Sequence, residues 1–116
     1  MGKRVTVLIR RPPLNSEKPS EALRVAVGYT LAAGQRVTAC FVGDGVHSAG
    51  ALRPDLVGAP ELEKHLTSLK ALGHRLVADG SAVRERPGLT LRPEIEPLEP
   101  ERILELLTES DLVVPF

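Results

Sequence analysis

Cys40 is the only side chain in the sequence that could act as a sulfur nucleophile. A reactive cysteine needs solvent exposure and either a positively charged neighbour or a helix amino terminus. Cys40 instead lies in the apolar run Ala39-Cys40-Phe41-Val42, and free cysteines are among the most buried residue types. We therefore expect Cys40 to pack in the core, and a catalytic role as a sulfur carrier is the alternative.

A second group of residues suited to chemistry, Gly43-Asp44-Gly45 and His47, directly follows this run. The two glycines permit positive φ and a close approach to the backbone, and His47 could act as a base or a ligand. The segment is not a complete dinucleotide-binding fingerprint, because position 48 is a serine. We expect a tight turn in which Asp44 caps backbone amides. The alternative is a small-anion site formed by Asp44, Gly45 and His47.

A third group, Ser81, Arg84 and Arg86, follows the short apolar run at 76–78. Ser81 does not lie in the Gly-x-Ser-x-Gly pattern of an activated serine. The two arginines could bind an anion together with the loop after the second strand. Their ordinary role would be surface ion pairing, with Glu85 and Glu94 as partners.

Composition excludes several classes of function. The chain has 116 residues, zero formal net charge and 3% aromatic residues, so it has neither the positive field nor the stacking surface of a nucleic-acid binder. One cysteine forms no internal disulfide, and no apolar run approaches the roughly 18 residues of a membrane span. Glu61 and His65 share a helix face but supply only two metal ligands, where a site needs three or four. We expect a cytoplasmic protein without metal, cofactor, direct nucleic-acid binding or membrane contact.

The pattern of apolar residues predicts five strands and three main helices. β-Branched runs favour strands that are covered on both faces, and leucines at helical spacing end at Gly73. The predicted strands are 5–9, 36–42, 74–78, 89–95 and 111–116, and the predicted helices run from about 19 to 33, from 60 to 73 and from 100 onward. We expect residues 47–60 to form a loop with about one turn of helix.

Strands that alternate with helices through short links imply crossover connections and a mainly parallel sheet. No repeat or linker divides the chain, so residues 1–116 are predicted to form a single α/β domain. Ligands of open parallel sheets bind outside the carboxyl ends of the strands. The loops at 10–16, 43–50 and 79–86, and Phe116, are therefore the expected site.

The order of these motifs resembles the DsrE/DsrF/TusC group of sulfur-relay proteins. The resemblance rests on the first strand, the Ala-rich helix and the second strand with its Asp-Gly-Val loop, at 4–9, 21–28 and 37–46. It extends to 76–78 with Ser81 and Arg86, and to the closing strand at 111–116, which looks like that of the DsrF/TusC branch. The family fold would be a three-layer α/β/α sandwich with a five-stranded sheet, and members assemble as oligomers.

The resemblance also implies a role. Some members carry a persulfide on a cysteine after the third strand, and the corresponding position here falls at Ala78 or Asp79. The implied function is a noncatalytic DsrF/TusC-like subunit, without independent enzyme activity, in an oligomer with itself or with other sulfur-relay subunits. A small anionic-ligand-binding domain and a carrier that acts through Cys40 are the alternatives.

Overall fold

A computed structural model describes residues 3–10, 18–30, 35–50 and 59–116. Within these ranges the chain alternates strands and helices. The strands are β1 (Arg4–Ile9), β2 (Arg36–Phe41), β3 (Arg75–Asp79), β4 (Glu96–Leu98) and β5 (Leu112–Pro115), and the helices are α1 (Lys18–Thr30), α2 (Ala59–Ala71), α3 (Gly80–Arg84) and α4 (Pro100–Glu109), with a 3₁₀ segment at Gly43–Ala49. The predicted end of the first helix near residue 33, and residues 51–58 of the predicted loop, lie outside the described residues.

The five strands form one sheet in the order β4-β3-β2-β1-β5, and every adjacent pair is parallel. β1 lies between β2 and β5, so Val5 is in register with both Val37 and Leu112. The first three crossovers step to one side, and the last crossover, through α4, returns to the opposite edge. This confirms the predicted α/β fold and its five-stranded sheet.

Side-chain alternation along the strands separates two apolar layers. On one face, Ala39 and Phe41 pack with residues of α1 and α2 in the larger cluster of buried side chains. On the other face, Cys40 and Val77 pack against Ile103 of α4. The chain is therefore a three-layer α/β/α sandwich in which helices cover both faces of the sheet.

The predicted strand at 89–95 is wrong, because the fourth strand lies at Glu96–Leu98. Pro93 has no amide hydrogen to donate to a ladder, and the amide of Ile95 donates to the carbonyl of Arg92 in a turn. Leu91 forms only an isolated antiparallel bridge with Gly50. Residues 89–95 therefore pack over the 3₁₀ segment instead of extending the sheet.

The helix signals in the sequence are confirmed where the structure describes them. Pro100 begins α4, and Gly73 follows α2 with a φ of +82°, a conformation that glycine adopts without strain. Within the described ranges, no helix combines the length and the apolar character that a bilayer span requires.

Candidate functional site

The carboxyl ends of β2 and β3 bring the predicted ligand-binding residues to the same edge of the sheet. The 3₁₀ segment after β2 contains Asp44, Gly45 and His47, and α3 after β3 contains Ser81 and Arg84. The 3₁₀ segment packs against α3 and β3. The topology thus places both groups on the edge where parallel sheets usually bind ligands.

The glycines after β2 have a structural explanation. Gly43 has a φ of +52°, in the left-handed region. Gly45 is buried, and a Cβ at this position would lie 2.0 Å from the carbonyl oxygen of Ile9. Both glycines are therefore needed for the chain to turn against the end of β1, whether or not a ligand binds here.

Asp44 pairs with Arg86. Arg86 Nη2 donates to Asp44 Oδ1 at 2.7 Å, and Arg86 Nη1 donates to the carbonyl of Ala82 at 2.8 Å. This hydrogen bond and the guanidinium charge hold the pKa of Asp44 below its usual value. The carboxylate caps no backbone amide of the described residues, so the predicted capping role of Asp44 is wrong. His47 is exposed, and its electrostatic interaction with Asp44 lowers the pKa of that carboxyl by a smaller amount than Arg86 does.

Arg84 forms a separate, bidentate ion pair. Its Nη1 and Nη2 donate to the two carboxylate oxygens of Glu99 at 2.8 and 2.9 Å. The interaction raises the pKa of Arg84 and lowers that of Glu99, chiefly through these hydrogen bonds. The predicted ion-pairing role of Arg84 is confirmed, but its partner is Glu99 at the start of α4 and not Glu85 or Glu94. The structure therefore brings Arg86, not Arg84, to Asp44.

Ser81 belongs to a cap at the start of α3. Asp79 Oδ1 accepts hydrogen bonds from the amides of Ser81 and Ala82 at 2.9 and 3.4 Å, and from Ser81 Oγ at 2.7 Å. Asp79 followed by Gly-Ser and an apolar pair is a helix-start signal, and it indicates the cap at Asp79 from the sequence alone. Ser81 therefore takes part in the helix cap, in which Asp79 Oδ1 accepts from all three donors.

Cys40 lies inside the molecule, on the α4 face of the sheet. Its side chain is fully buried and packs with Val77 and Ile103. Desolvation, with a contribution from the Asp79 carboxylate that Arg75 partly offsets, raises the pKa of the Cys40 thiol to about 12. The predicted core position of Cys40 is confirmed, and a thiol with this pKa contains almost no thiolate at neutral pH.

Taken together, the carboxyl edge contains three local arrangements. Asp44 is bound to Arg86, Ser81 to Asp79, and Arg84 to Glu99. Each arrangement satisfies its own charges or hydrogen bonds. The ligand-binding role predicted for Asp44, Gly45, His47, Ser81 and Arg84 gains no direct support from these contacts and stays a prediction.

Comparison with known proteins agrees with this architecture. A crystal structure of the ychN protein from E. coli superposes with a TM-score of 0.81 at 19% sequence identity, over 100% of both chains. At this identity the similarity concerns the fold alone. No curated protein matches the chain by sequence. The model of the DsrE/DsrF-like family matches residues 3–116, and the chain therefore belongs to the DsrE/DsrF-like family.

Proposed function

We propose that this chain is a noncatalytic, DsrF/TusC-like subunit of an intracellular sulfur-relay complex. The observation that carries the proposal is Asp79. In carrier members that this sequence resembles, a persulfide cysteine follows the third strand, and here β3 ends in Asp79. The carboxylate of Asp79 is bound to the first turn of α3 and offers no sulfur chemistry.

The thiol of Cys40 does not take the place of the carrier cysteine that is absent at Asp79. Transfer of a persulfide requires a thiolate that a partner's sulfur can approach. Cys40 is fully buried beneath α4, and its pKa is raised to about 12. A relay role for this chain is therefore best explained by binding to a carrier subunit.

Exposed apolar side chains support a role in assembly. Among the described residues, Leu104 on α4 is 66% exposed and Leu112 on β5 is 41% exposed. A partner that covers these side chains removes their apolar surface from water, which favours association. We propose that these two leucines contribute to contacts with a second copy or with other relay subunits.

A sulfur-loading experiment tests the proposal that this chain has no thiol able to carry a persulfide. The purified chain is incubated with a cysteine desulfurase and cysteine as the persulfide source, and intact-mass spectrometry measures sulfur addition. The native chain is expected to gain no sulfur. The double variant Cys40→Ala/Asp79→Cys, whose only thiol lies at the carrier position, is expected to gain one sulfur atom, because that thiol precedes α3.

The matched control is Cys40→Ala/Asp79→Ala, which removes the same charge and the same capping oxygen without adding a thiol. Loading of native Cys40 would contradict the proposal and identify the chain as a carrier. Absence of loading at position 79 in a folded double variant would contradict the equivalence of this position with the carrier site.

A further inference from the structure

A concave surface lies at the opposite, amino-terminal edge of the sheet. This cleft has a volume of about 560 Å³ and is bounded by the first residues of β1, β2 and β3, by residues 72–74 and by the last turn of α4. Its size is in the range of pockets that bind small molecules. It is separate from the carboxyl edge, where the family resemblance places sulfur chemistry.

Three arginines line this cleft, and two of them face each other across neighbouring strands. Arg4 and Arg36 are in direct register on adjacent strands, and Arg75 is in register with Thr38, two residues beyond Arg36. Strand alternation places all three arginines on the α4 face, the same face as Thr6. Like charges that lie opposite each other destabilise a sheet, so an anion between them would relieve a cost built into the fold.

One of the three arginines has no partner among the described residues. Arg4 Nη1 lies 3.8 Å from Glu109 Oε2 in an ion pair, and both side chains are more than half exposed. Arg75 donates to Glu96 at 3.0 Å. Arg36 forms no ion pair or side-chain hydrogen bond within the described ranges. Among the described residues, the Arg36 guanidinium in the cleft lining is therefore not neutralised by an ion pair.

Two polar groups beside Arg36, the Thr38 hydroxyl and His74 Nε2, can donate to a ligand, whereas the hydroxyl protons of Ser110 and Thr6 are already bound within the protein. Ser110 Oγ donates to the carbonyl of Leu106 at 2.8 Å, so in its 2.6 Å contact with Thr6 the Thr6 hydroxyl is the donor. Thr38 is only 8% exposed, and its hydroxyl bonds to no described residue. His74 Nδ1 accepts from the amide of Val37 at 3.1 Å, which leaves the proton of the neutral ring on Nε2.

We propose that this cleft binds a small organic phosphate. Three guanidinium groups, of which Arg36 alone has no ion pair among the described residues, suit a dianion with three acceptor oxygens better than a monovalent carboxylate. The phosphate lies at Arg36 between Arg4 and Arg75, and the apolar part of the ligand contacts Leu72 and Leu106, which line the same cleft. This site is independent of the relay role proposed above.

Isothermal titration calorimetry with phenyl phosphate tests the site. The native chain is expected to bind it in a saturable, salt-sensitive manner, more tightly than inorganic phosphate, and not to bind phenol. Arg36→Gln is expected to weaken binding about tenfold or more, the effect of losing one charge-assisted hydrogen bond. The matched control is Arg102→Gln, which removes an exposed arginine of α4 outside the cleft lining and is expected to change affinity less than about twofold.

The ligand-free stability of the same variants supplies a second readout. Because Arg36 faces Arg4, the Arg36→Gln variant without ligand is expected to be at least as stable as the native chain in urea. The proposal is overturned by any one of three results. These are no saturable binding up to about 10 mM, equal affinities of the two variants, and a ligand-free loss of stability that shows Arg36 to be a structural residue.

Discussion

Burial of Cys40 predicts a pH-dependent stability that a single substitution removes. Its pKa rises from an ordinary value of 9.0 to about 12 in the folded chain. The unfolded chain therefore ionises this thiol first, and unfolding releases a proton between about pH 9 and pH 12. Stability is accordingly present below pH 9 and falls as the pH rises through this window. The loss is about 1.4 kcal/mol at pH 10 and approaches about 4 kcal/mol above pH 12.

Urea unfolding at pH 7 and pH 10 measures this effect in the native chain and in Cys40→Ala. Other groups that titrate in this range, such as lysines and Tyr29, are common to both proteins and cancel in the comparison. The native chain is expected to lose about 1.4 kcal/mol more than the variant between the two pH values. Cys40→Ala itself is expected to cost roughly 1 kcal/mol at pH 7, because it leaves a small cavity.

Alkylation by iodoacetamide gives an independent measurement. At pH 8 the thiolate fraction is roughly one in ten for a pKa of 9.0 and one in ten thousand for a pKa of 12, so native Cys40 should react at least about a thousandfold more slowly than in urea. Equal pH slopes of the two proteins, or a native reaction rate within about tenfold of the denatured rate, would refute the reasoning.

Three further predictions concern other parts of the molecule. Gly45→Ala is expected to lower stability in urea by about 2–4 kcal/mol because its Cβ would meet the backbone of β1, whereas Gly28→Ala, an open helical position, should raise it by up to about 1 kcal/mol. The native chain should be more stable than Asp44→Asn above about pH 4, and this advantage should disappear on further acidification, because the hydrogen bond from Arg86 lowers the pKa of Asp44 only in the folded state; urea unfolding at pH 7 and pH 3 checks this. Leu104→Gln should lower the molar mass measured by light scattering toward that of a monomer. If the native chain is an oligomer and the variant has the same mass, Leu104 is not a contact residue.

The fold could be predicted because its signals are local. β-Branched runs at β1 and β2, Pro100 before α4 and Gly73 after α2 each act within a few residues. The apolar residues at 89–95 predict a strand, but Pro93 and the contact with the 3₁₀ segment exclude it, and the fourth strand lies at Glu96–Leu98. Whether an apolar run joins the sheet or packs over the 3₁₀ segment depends on tertiary packing. The spacing of apolar residues does not encode that choice.

The candidate site was predictable only as a region. The topology brings the loops after β2 and β3 together, as the position of parallel strand ends requires. The choice of partners for Arg84 and Arg86 depends on where long, flexible side chains reach after folding. Asp44 and Arg86 are 42 residues apart, and Arg84 and Glu99 are 15 apart. The amino-terminal cleft has no local signal in the sequence, because its three arginines are far apart along the chain and come together only through strand register.

The position of β5 beside β1 has a consequence for how the chain reaches its fold. The contact between Thr6 and Ser110 spans 104 residues, and such distant pairings form slowly. Until α4 crosses back, β1 is the open border of a four-stranded sheet, and its outer amides have no ladder partner. The sequence Val-Thr-Val-Leu-Ile carries no charge within this border, which makes it a template for wrong pairing. During synthesis, β1 therefore stays unpaired on one side until β5 has been made. We expect aggregation and chaperone binding to be greatest before β5 pairs with β1.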